Sequence, residues 1–476
     1  MVRLTMADPV TIVGAGLAGS EAAWQLAERG IKVRLIEMRP NIKTPIHQSG
    51  DFAELVCSNS FKSLDSSSAA GCLKNELAVM GSQLIKWAIG SRVAAGKALA
   101  VDRERFASTV TAELEKHRNI SIERREFTEL NDLINSPTPS IIATGPLTSA
   151  ALETVLGEAL GSEYLSFFDA AAPIVEAGSL DMGRLFRQSR YSSEEEDYLN
   201  APLDRQQYEA LVDALVKGDR VIARDFENAD LFQACQPVEE LARKGIDTLR
   251  FGALKPVGLT DPHTGRRPWA VVQLRSENQA NTAYNLVGFQ TNLAFREQER
   301  IFRLIPGLEN AQFARFGVMH RNTFIDAPRL LSPTLAWKSH PHIHFAGQLG
   351  GTEGYVEAIA SGLLASLAVY AQIKGQALDP LPNTTLFGAL IDYATNPKTK
   401  DYQPMHVNYG IIRSLPEGVK NKKQRYIEYA SRSEQAIIGY REANGFLDWL
   451  ADTDRSFLIG PATQEGKIQG PLSEAG

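Results

Sequence analysis

The stretch VTIVGAGLAGSEAAWQLAERGIKVRLIE, from Val10 to Glu37, restricts the fold more than any other part of the chain. Val10–Val13 is apolar and β-branched, the pattern of a buried strand. Gly14, Gly16 and Gly19 then form a G-x-G-x-x-G, EAAWQLAERG reads as an amphipathic helix ending near Gly30, and Ile31–Glu37 alternates as a second strand. Gly14 permits a tight turn, Gly16 lets the backbone approach a pyrophosphate, and Gly19 allows close packing of the helix. The phosphate then meets unpaired amides at the helix start, with Ala15, Leu17 and Ala18 completing the cradle. Glu37 closes the second strand, where a carboxylate accepts hydrogen bonds from a ribose diol. A bare G-x-G-x-x-G is a common glycine turn; strand, helix and acid in this order make it a dinucleotide site. Glu37 would repel a 2′-phosphate, which disfavours NADP in this crevice, although Arg39 lies close by.

Two later segments extend that domain. PSIIATGPLTSA at 139–150 has the look of a buried strand breaking at Thr144–Gly145. HIHFAGQLGGTEGYVEAIASGLLASLAVYAQIKG at 342–375 is again strand, glycine turn and helix, with Gly347, Gly350, Gly351 and Gly354 at the turn. The expected fold is α/β: a Rossmann-like FAD-binding domain of the glutathione-reductase type, made of 1–150 and 335–385. A mixed α+β domain, 151–334, interrupts it, and a helical tail, 386–476, follows. This arrangement suits FAD better than NAD, because FAD is long and its isoalloxazine can rest against the late helix start. The helix dipole there favours negative charge developing on a reduced flavin. Two separate α/β domains are the alternative.

Composition narrows the partners. With 50 basic against 56 acidic residues among 476, the net charge of −6 excludes binding to nucleic acid or anionic membrane through bulk charge. Any RNA contact needs a local basic face. Two stretches offer one: the loop LKPVGLTDPHTGRRP, read as extended and exposed, with Arg266 and Arg267, and the tail run KNKKQR with Lys422 and Lys423. A solvated surface is the alternative for both. Three scattered cysteines without a C-x-x-C fit a reducing compartment, and the absence of a leading apolar run or an uninterrupted apolar span predicts a soluble cytoplasmic protein with no membrane attachment. Cys57 sits in AELVCSNSF, and Cys235 in LFQACQPVEELARKG, before Pro237 and a helix whose field would stabilise a thiolate. Burial as small hydrophobes is the alternative for both, and the stronger reading for Cys72. His340, His342 and His344 alternate on one strand face but have no carboxylate or cysteine pattern nearby; a solvated or mixed strand edge is expected, and no metal.

Long blocks in one order give the chain a specific likeness: GAGLAGSEAAWQLAERG, CSNSF, GKALAVDRERF, ATGPLTS, SRYSSEEEDYLNAP, DTLRFGALKPVGLTDP, VVQLR, YNLVGFQTNL, IPGLENAQFARFGVMHRNTFIDAP and FAGQLGGTEGYVEA. In these it resembles the bacterial folate- and FAD-dependent tRNA (uracil-5-)-methyltransferases, which make ribothymidine in the T loop. The likeness runs from residue 10 to about 375 and is less distinctive in the tail. It implies FAD at Gly14, Gly16, Gly19 and Glu37, with Gly347, Gly350, Gly351, Glu353, Gly354 and Tyr355 near the isoalloxazine. It implies a catalytic cysteine in QACQPVE, hence Cys235, and a second active-site thiol, Cys57. Uracil C5 becomes nucleophilic once a thiolate adds at C6; the carbon comes from 5,10-methylenetetrahydrofolate by way of reduced flavin, which also supplies a hydride, and NADPH or NADH reduces the flavin again. Tyr355 is a candidate stacking surface for the pterin or a packed structural aromatic, and tRNA is the implied partner. Ala234, the GGTEGY turn and Ala201 depart from residues common in the family, which blurs fine placement. The related, longer wobble-uridine flavoprotein and a small-molecule FAD oxidoreductase are the rival readings.

Overall fold

The computed structural model describes residues 8–460, apart from 45, 162–163, 191–195, 223–235, 400–401, 417–418 and 420. One six-stranded sheet has the order Ala336–Trp337, His340–Phe345, Ser140–Ile142, Val10–Val13, Val33–Glu37, Ile120–Arg124. Its neighbours are parallel except for the Ala336–Trp337 edge, which is antiparallel. Strands from both ends of the chain therefore share one sheet. Val10–Val13 is buried at all four positions, the apolar run expected of a strand covered on both faces.

Helix Leu17–Glu28 and helix Tyr355–Ile373 cross so closely that a Cβ on Gly362 would lie 2.1 Å from the Ala18 carbonyl oxygen. The first helix was expected to be amphipathic; instead it is buried nearly all round, Glu21 and Gln25 included. Its polar groups are consumed internally. The Glu21 carboxylate accepts the Leu84 amide at 2.8 Å and the Gln25 side-chain amide at 2.8 Å, serving the start of helix Gln83–Gly90. The second helix has the length and hydropathy of a membrane span, yet 83% of that window is buried inside the fold, which makes it a core helix.

A second sheet, antiparallel throughout, runs Phe186–Arg187, Tyr198–Leu203, Ala270–Ser276, Ala283–Leu286, Ile174–Glu176, Phe313–Arg315. Helix Arg205–Lys217, closed by an Asp204/Gln207 capping box, packs Tyr208, Leu211 and Leu215 into its core with Leu274, Tyr284 and Phe302. A small sheet of Ser60–Ser63, Ala98–Val101 and Arg92–Val93 follows the CSNSF segment, and a ribbon pairs Tyr164–Ala170 with Met319–Ile325.

Helices Leu386–Thr395 and Lys422–Ala443 fold back onto helix Ala69–Val79. Buried Glu76 accepts the Leu386 and Phe387 amides at 2.9 and 2.8 Å, so a residue early in the chain caps a helix near its end. Two local expectations change. The 254–268 loop is a folded turn rather than an extended strap: Pro256 and Asp261 are buried, and the Asp261 carboxylate accepts the His263 amide and the Thr264 hydroxyl. The histidine strand is internal rather than an edge, because Ala336–Trp337 pairs beyond it; His344 is buried, and burial pushes its imidazole down to about 4.

Candidate active site between the two sheets

The first glycine turn is built from backbone. Gly14 has φ +95°, and a Cβ there would lie 2.6 Å from the Ala143 carbonyl oxygen. A Cβ on Gly19 would lie 1.8 Å from the Gly14 carbonyl oxygen. Gly16 differs: a Cβ would meet nothing within 4 Å, and no side chain caps the helix it begins. Open space beside uncapped amides is the geometry a pyrophosphate requires. A crevice adjoins it, lined by Gly14, Glu37, Met38, Phe127, Thr144 and Thr148 among others. Glu37 accepts the Ala15 amide at 2.8 Å and Arg39 Nε at 2.9 Å. Burial opposes its charge, but Arg39 and these hydrogen bonds outweigh it, holding the carboxyl below its ordinary value. Arg39 is itself buried between Glu37 and Glu54, which spends its charge internally. These residues fit a dinucleotide such as FAD.

The second glycine turn is assembled from distant parts of the chain. Gly347, Gly350, Gly351 and Gly354 lead into helix Tyr355–Ile373, which has no side-chain cap. Segment 402–407 lies along it: the Glu353 amide donates to the Met405 carbonyl at 3.1 Å, and the Val407 amide donates to Glu357 at 3.1 Å. Tyr402 fills the space beside Gly351, where a Cβ would lie 1.9 Å from its hydroxyl oxygen. Lys62, held at φ +64°, reaches Glu357 at 3.6 Å. The Tyr355 hydroxyl accepts the Cys57 and Ser58 amides at 2.9 and 3.1 Å, and its ring leans on Phe61. Burial raises the phenol, which keeps it neutral. Tyr355 therefore positions the cysteine segment.

Arginines complete the frame around Cys57, which is partly exposed. Arg103 Nη1 donates to the Leu55 carbonyl at 2.7 Å and Arg315 Nη2 to the Val56 carbonyl at 2.7 Å. Arg275 Nε donates to Asn59 Oδ1 at 2.7 Å, while the Asn59 amide group donates to Ser276 and Val101 carbonyls. Glu277 pairs with Arg103 at 2.5 Å. Burial opposes the Arg103 charge, and Glu277, Tyr355 and Cys57 more than restore it. Arg315 is lowered by burial and by Arg103, with Cys57 acting in the opposite sense. Two guanidinium groups therefore interact electrostatically with the Cys57 thiol. Arg103, Arg275, Glu277 and Arg315 were missed one by one in the sequence, although GKALAVDRERF, VVQLR and FARFG contain three of them; their convergence needs the two sheets to meet.

Other candidates lie apart. Cys235 falls outside the described residues; the helix after it spans Val238–Arg243 with Pro237 at its cap. Cys72 is buried with its sulfur 3.6 Å from Glu76, and burial together with that carboxylate pushes the thiol up, the condition of an inert cysteine. Arg266 and Arg267 are exposed on the Asp261 turn. Lys422 and Lys423 are exposed at the start of helix Lys422–Ala443, Lys422 lying over the Tyr426 ring. His342 meets the Leu133 carbonyl at 2.9 Å and His340 packs on Trp337.

Comparison with known proteins agrees with this geometry. The family model described as glucose inhibited division protein A matches residues 9–377. The methylenetetrahydrofolate–tRNA-(uracil-5-)-methyltransferase TrmFO of Moorella thermoacetica is 54% identical over 430 residues, covering 90% of this chain and 97% of that protein. The TrmFO of Carboxydothermus hydrogenoformans is 52% identical, with 92% and 99% covered, and that of Bacillus subtilis 47%, with 90% and 97%. Among solved structures, GidA of Aquifex aeolicus superposes with a TM-score of 0.67 at 16% identity over 93% of this chain and 74% of that one, a likeness of fold. With a mixed α/β fold, a parallel sheet, a dinucleotide crevice and about half of its residues shared end to end, the chain belongs to the TrmFO family of methylenetetrahydrofolate–tRNA-(uracil-5-)-methyltransferases, within the wider glucose inhibited division protein A family.

Proposed function

We propose that this enzyme methylates C5 of a uridine in the T loop of tRNA with 5,10-methylenetetrahydrofolate as carbon donor. The observation that carries the reading is the Cys57 segment, fixed by Tyr355, Arg103, Arg275 and Arg315 beside the second glycine turn of a chain so similar to TrmFO proteins. When bound, FAD supplies the redox chemistry of the site, relaying the one-carbon unit and giving a hydride, with NADPH or NADH as the reductant that renews it.

The residues of the chain do the rest. The Gly14–Gly19 turn would hold the pyrophosphate on its amides and Glu37 the ribose, with Gly347, Gly350, Gly351, Glu353, Gly354 and Tyr355 on the side of the ring system. A thiolate, from Cys57 or Cys235, bonds C6 of the uracil, and the electron pair of the C5–C6 double bond moves toward the C4 oxygen, which makes C5 a nucleophile. Arg103 and Arg315 bring positive charge to Cys57. The other cysteine assists proton removal from C5, and the first thiolate then leaves as the C5–C6 double bond re-forms. Arg266, Arg267, Lys422 and Lys423 contact RNA phosphates on one face, so tRNA affinity falls as salt rises. The division into 1–150 with 335–385, 151–334 and 386–476, and work in the cytosol, belong to the same reading.

The test is mass spectrometry of an unmodified tRNA transcript incubated with the protein, FAD, methylenetetrahydrofolate and NADPH. One T-loop uridine gains a CH2 unit, and the gain vanishes without folate. A flavin that is bound and reducible, with no mass gain, overturns the reading. Cys57→Ala and Cys235→Ala each abolish the gain while flavin content is retained; a wild-type rate in either variant removes that thiol from the chemistry.

A further inference from the structure

Five phenylalanines form a continuous run from the core of the second sheet to its surface. Phe289 and Phe302 are fully buried and meet edge to face, with centroids 5.4 Å apart and planes at 87°. Phe302 leans on Phe313 at 6.3 Å and 42°. Beyond Phe313 the geometry changes to parallel stacking: Phe313 on Phe316 at 5.2 Å and 15°, and Phe316 on Phe295 at 4.8 Å and 13°. Phe295 is 50% exposed. Phe316 covers one face of this ring, which ends the parallel stack.

The platform is braced, and the residue before Phe316 is Arg315 of the Cys57 frame. Buried Gln298, on the helix that starts at Phe295, donates to the Gly317 carbonyl at 2.8 Å and accepts the Gly317 amide at 2.8 Å, locking the Phe316 turn to the helix. A Cβ on Gly317 would lie 2.5 Å from Thr291 Cγ2, so the turn has no room to slide. An irregularity in pairing between Phe313 and Arg315 breaks the side-chain alternation, which lets Phe316 stack on Phe313 while Arg315 reaches the Val56 carbonyl next to Cys57. Arg296 and Arg300, one helical turn apart on the same helix and 77% and 54% exposed, pair with the Asp219 and Glu297 carboxylates at 2.5 and 2.6 Å. A pre-ordered aromatic face is the element on which an unpaired base stacks.

We propose that Phe295, backed by Phe316, is a stacking platform for an unpaired nucleobase of the tRNA loop other than the target uridine, on the element that carries Arg315 of the Cys57 frame. This rests on the tRNA reading above. A base held there keeps the loop open while the neighbouring uridine is extruded toward the thiol.

The experiment uses the flavin-loaded protein and a T-arm stem-loop RNA carrying 2-aminopurine at one unpaired loop position at a time. Wild type quenches the probe at one position; Phe295→Ala abolishes that quenching and weakens RNA affinity about tenfold or more. Phe295→Trp restores both, and flavin content and the KM for methylenetetrahydrofolate stay unchanged. Quenching and affinity in Phe295→Ala equal to wild type overturn the platform while leaving the methylation reading intact. A variant that changes only the folate KM also overturns it, and assigns the ring to the pterin. If wild type binds the stem-loop without methylating it, the methylation reading fails while the quenching pattern still decides the platform; if wild type binds no RNA, both fall.

Discussion

The two glycine turns carry the same sequence signature and are built in opposite ways. The Gly14–Gly19 turn is closed by its own strand, its own helix and the adjacent strand at Ala143. The Gly347–Gly354 turn is closed by residues 57–62 from one direction and 402–407 from another. A turn wedged against backbone tolerates no change of shape, whereas a turn met by side chains of other segments is adjustable through them. That difference suits a site that grips one end of a cofactor permanently and must admit a large substrate at the other.

The largest effect is expected at the first turn. Gly19→Ala puts a methyl 1.8 Å from a backbone oxygen that has nowhere to move, and we expect at least about 4 kcal/mol of lost stability or no folded flavoprotein. Flavin content and thermal unfolding measure it; a variant that folds and holds flavin normally would erase the contrast. The second turn gives a softer result. Gly351→Ala carries about 1–2 kcal/mol for its φ of +100° and a further clash with the Tyr402 hydroxyl, about 3 kcal/mol together. Tyr402→Phe removes an oxygen that is buried with no hydrogen-bond partner, so it is near neutral alone and relieves the clash in the double variant. Strict additivity in that cycle would show that 402–407 does not shape the turn. Tyr355→Phe leaves the Cys57 and Ser58 amides without their acceptor, a cost of about 2 kcal/mol that slows methylation while flavin stays bound. An unchanged methylation rate would remove Tyr355 from the positioning of Cys57.

The same contrast explains what was legible in the sequence. Gly14, Gly16, Gly19 and the flanking strands are readable because strand, glycines and helix follow one another in a single short stretch, although the contact of Gly14 with Ala143 is not. The polar faces of the buried helix were misread, since Glu21 and Gln25 look solvent-facing until helix Gln83–Gly90 is placed beside them. Around Cys57, the thiol stands out by residue type, but Arg103, Arg275, Glu277 and Arg315 are separated from it by 46 to 258 positions and join it only when the two sheets meet. The stack ending at Phe295 was equally hidden, because two of its rings come from a strand and turn and three from a helix and loop that precede them.

Glu37 gives the smallest and most specific way to sharpen the comparison, because it ties the first turn together by charge. Its carboxylate is held below the ordinary value, which is about 4.3, since Arg39 and the Ala15 amide favour the ionised form over the cost of burial. A depressed folded value means that the unfolded chain binds the proton first, so Glu37 contributes its stabilisation in full above the unfolded value and loses it as pH falls through the folded one. Glu37→Gln cannot titrate. The stability gap between wild type and this variant, about 1 kcal/mol at neutral pH, should therefore be constant from pH 8 to about 5 and close progressively below that. Urea unfolding across that range measures it. A gap that stays flat into acid would mean that geometry alone, without charge, holds Ala15 and the phosphate cradle in place.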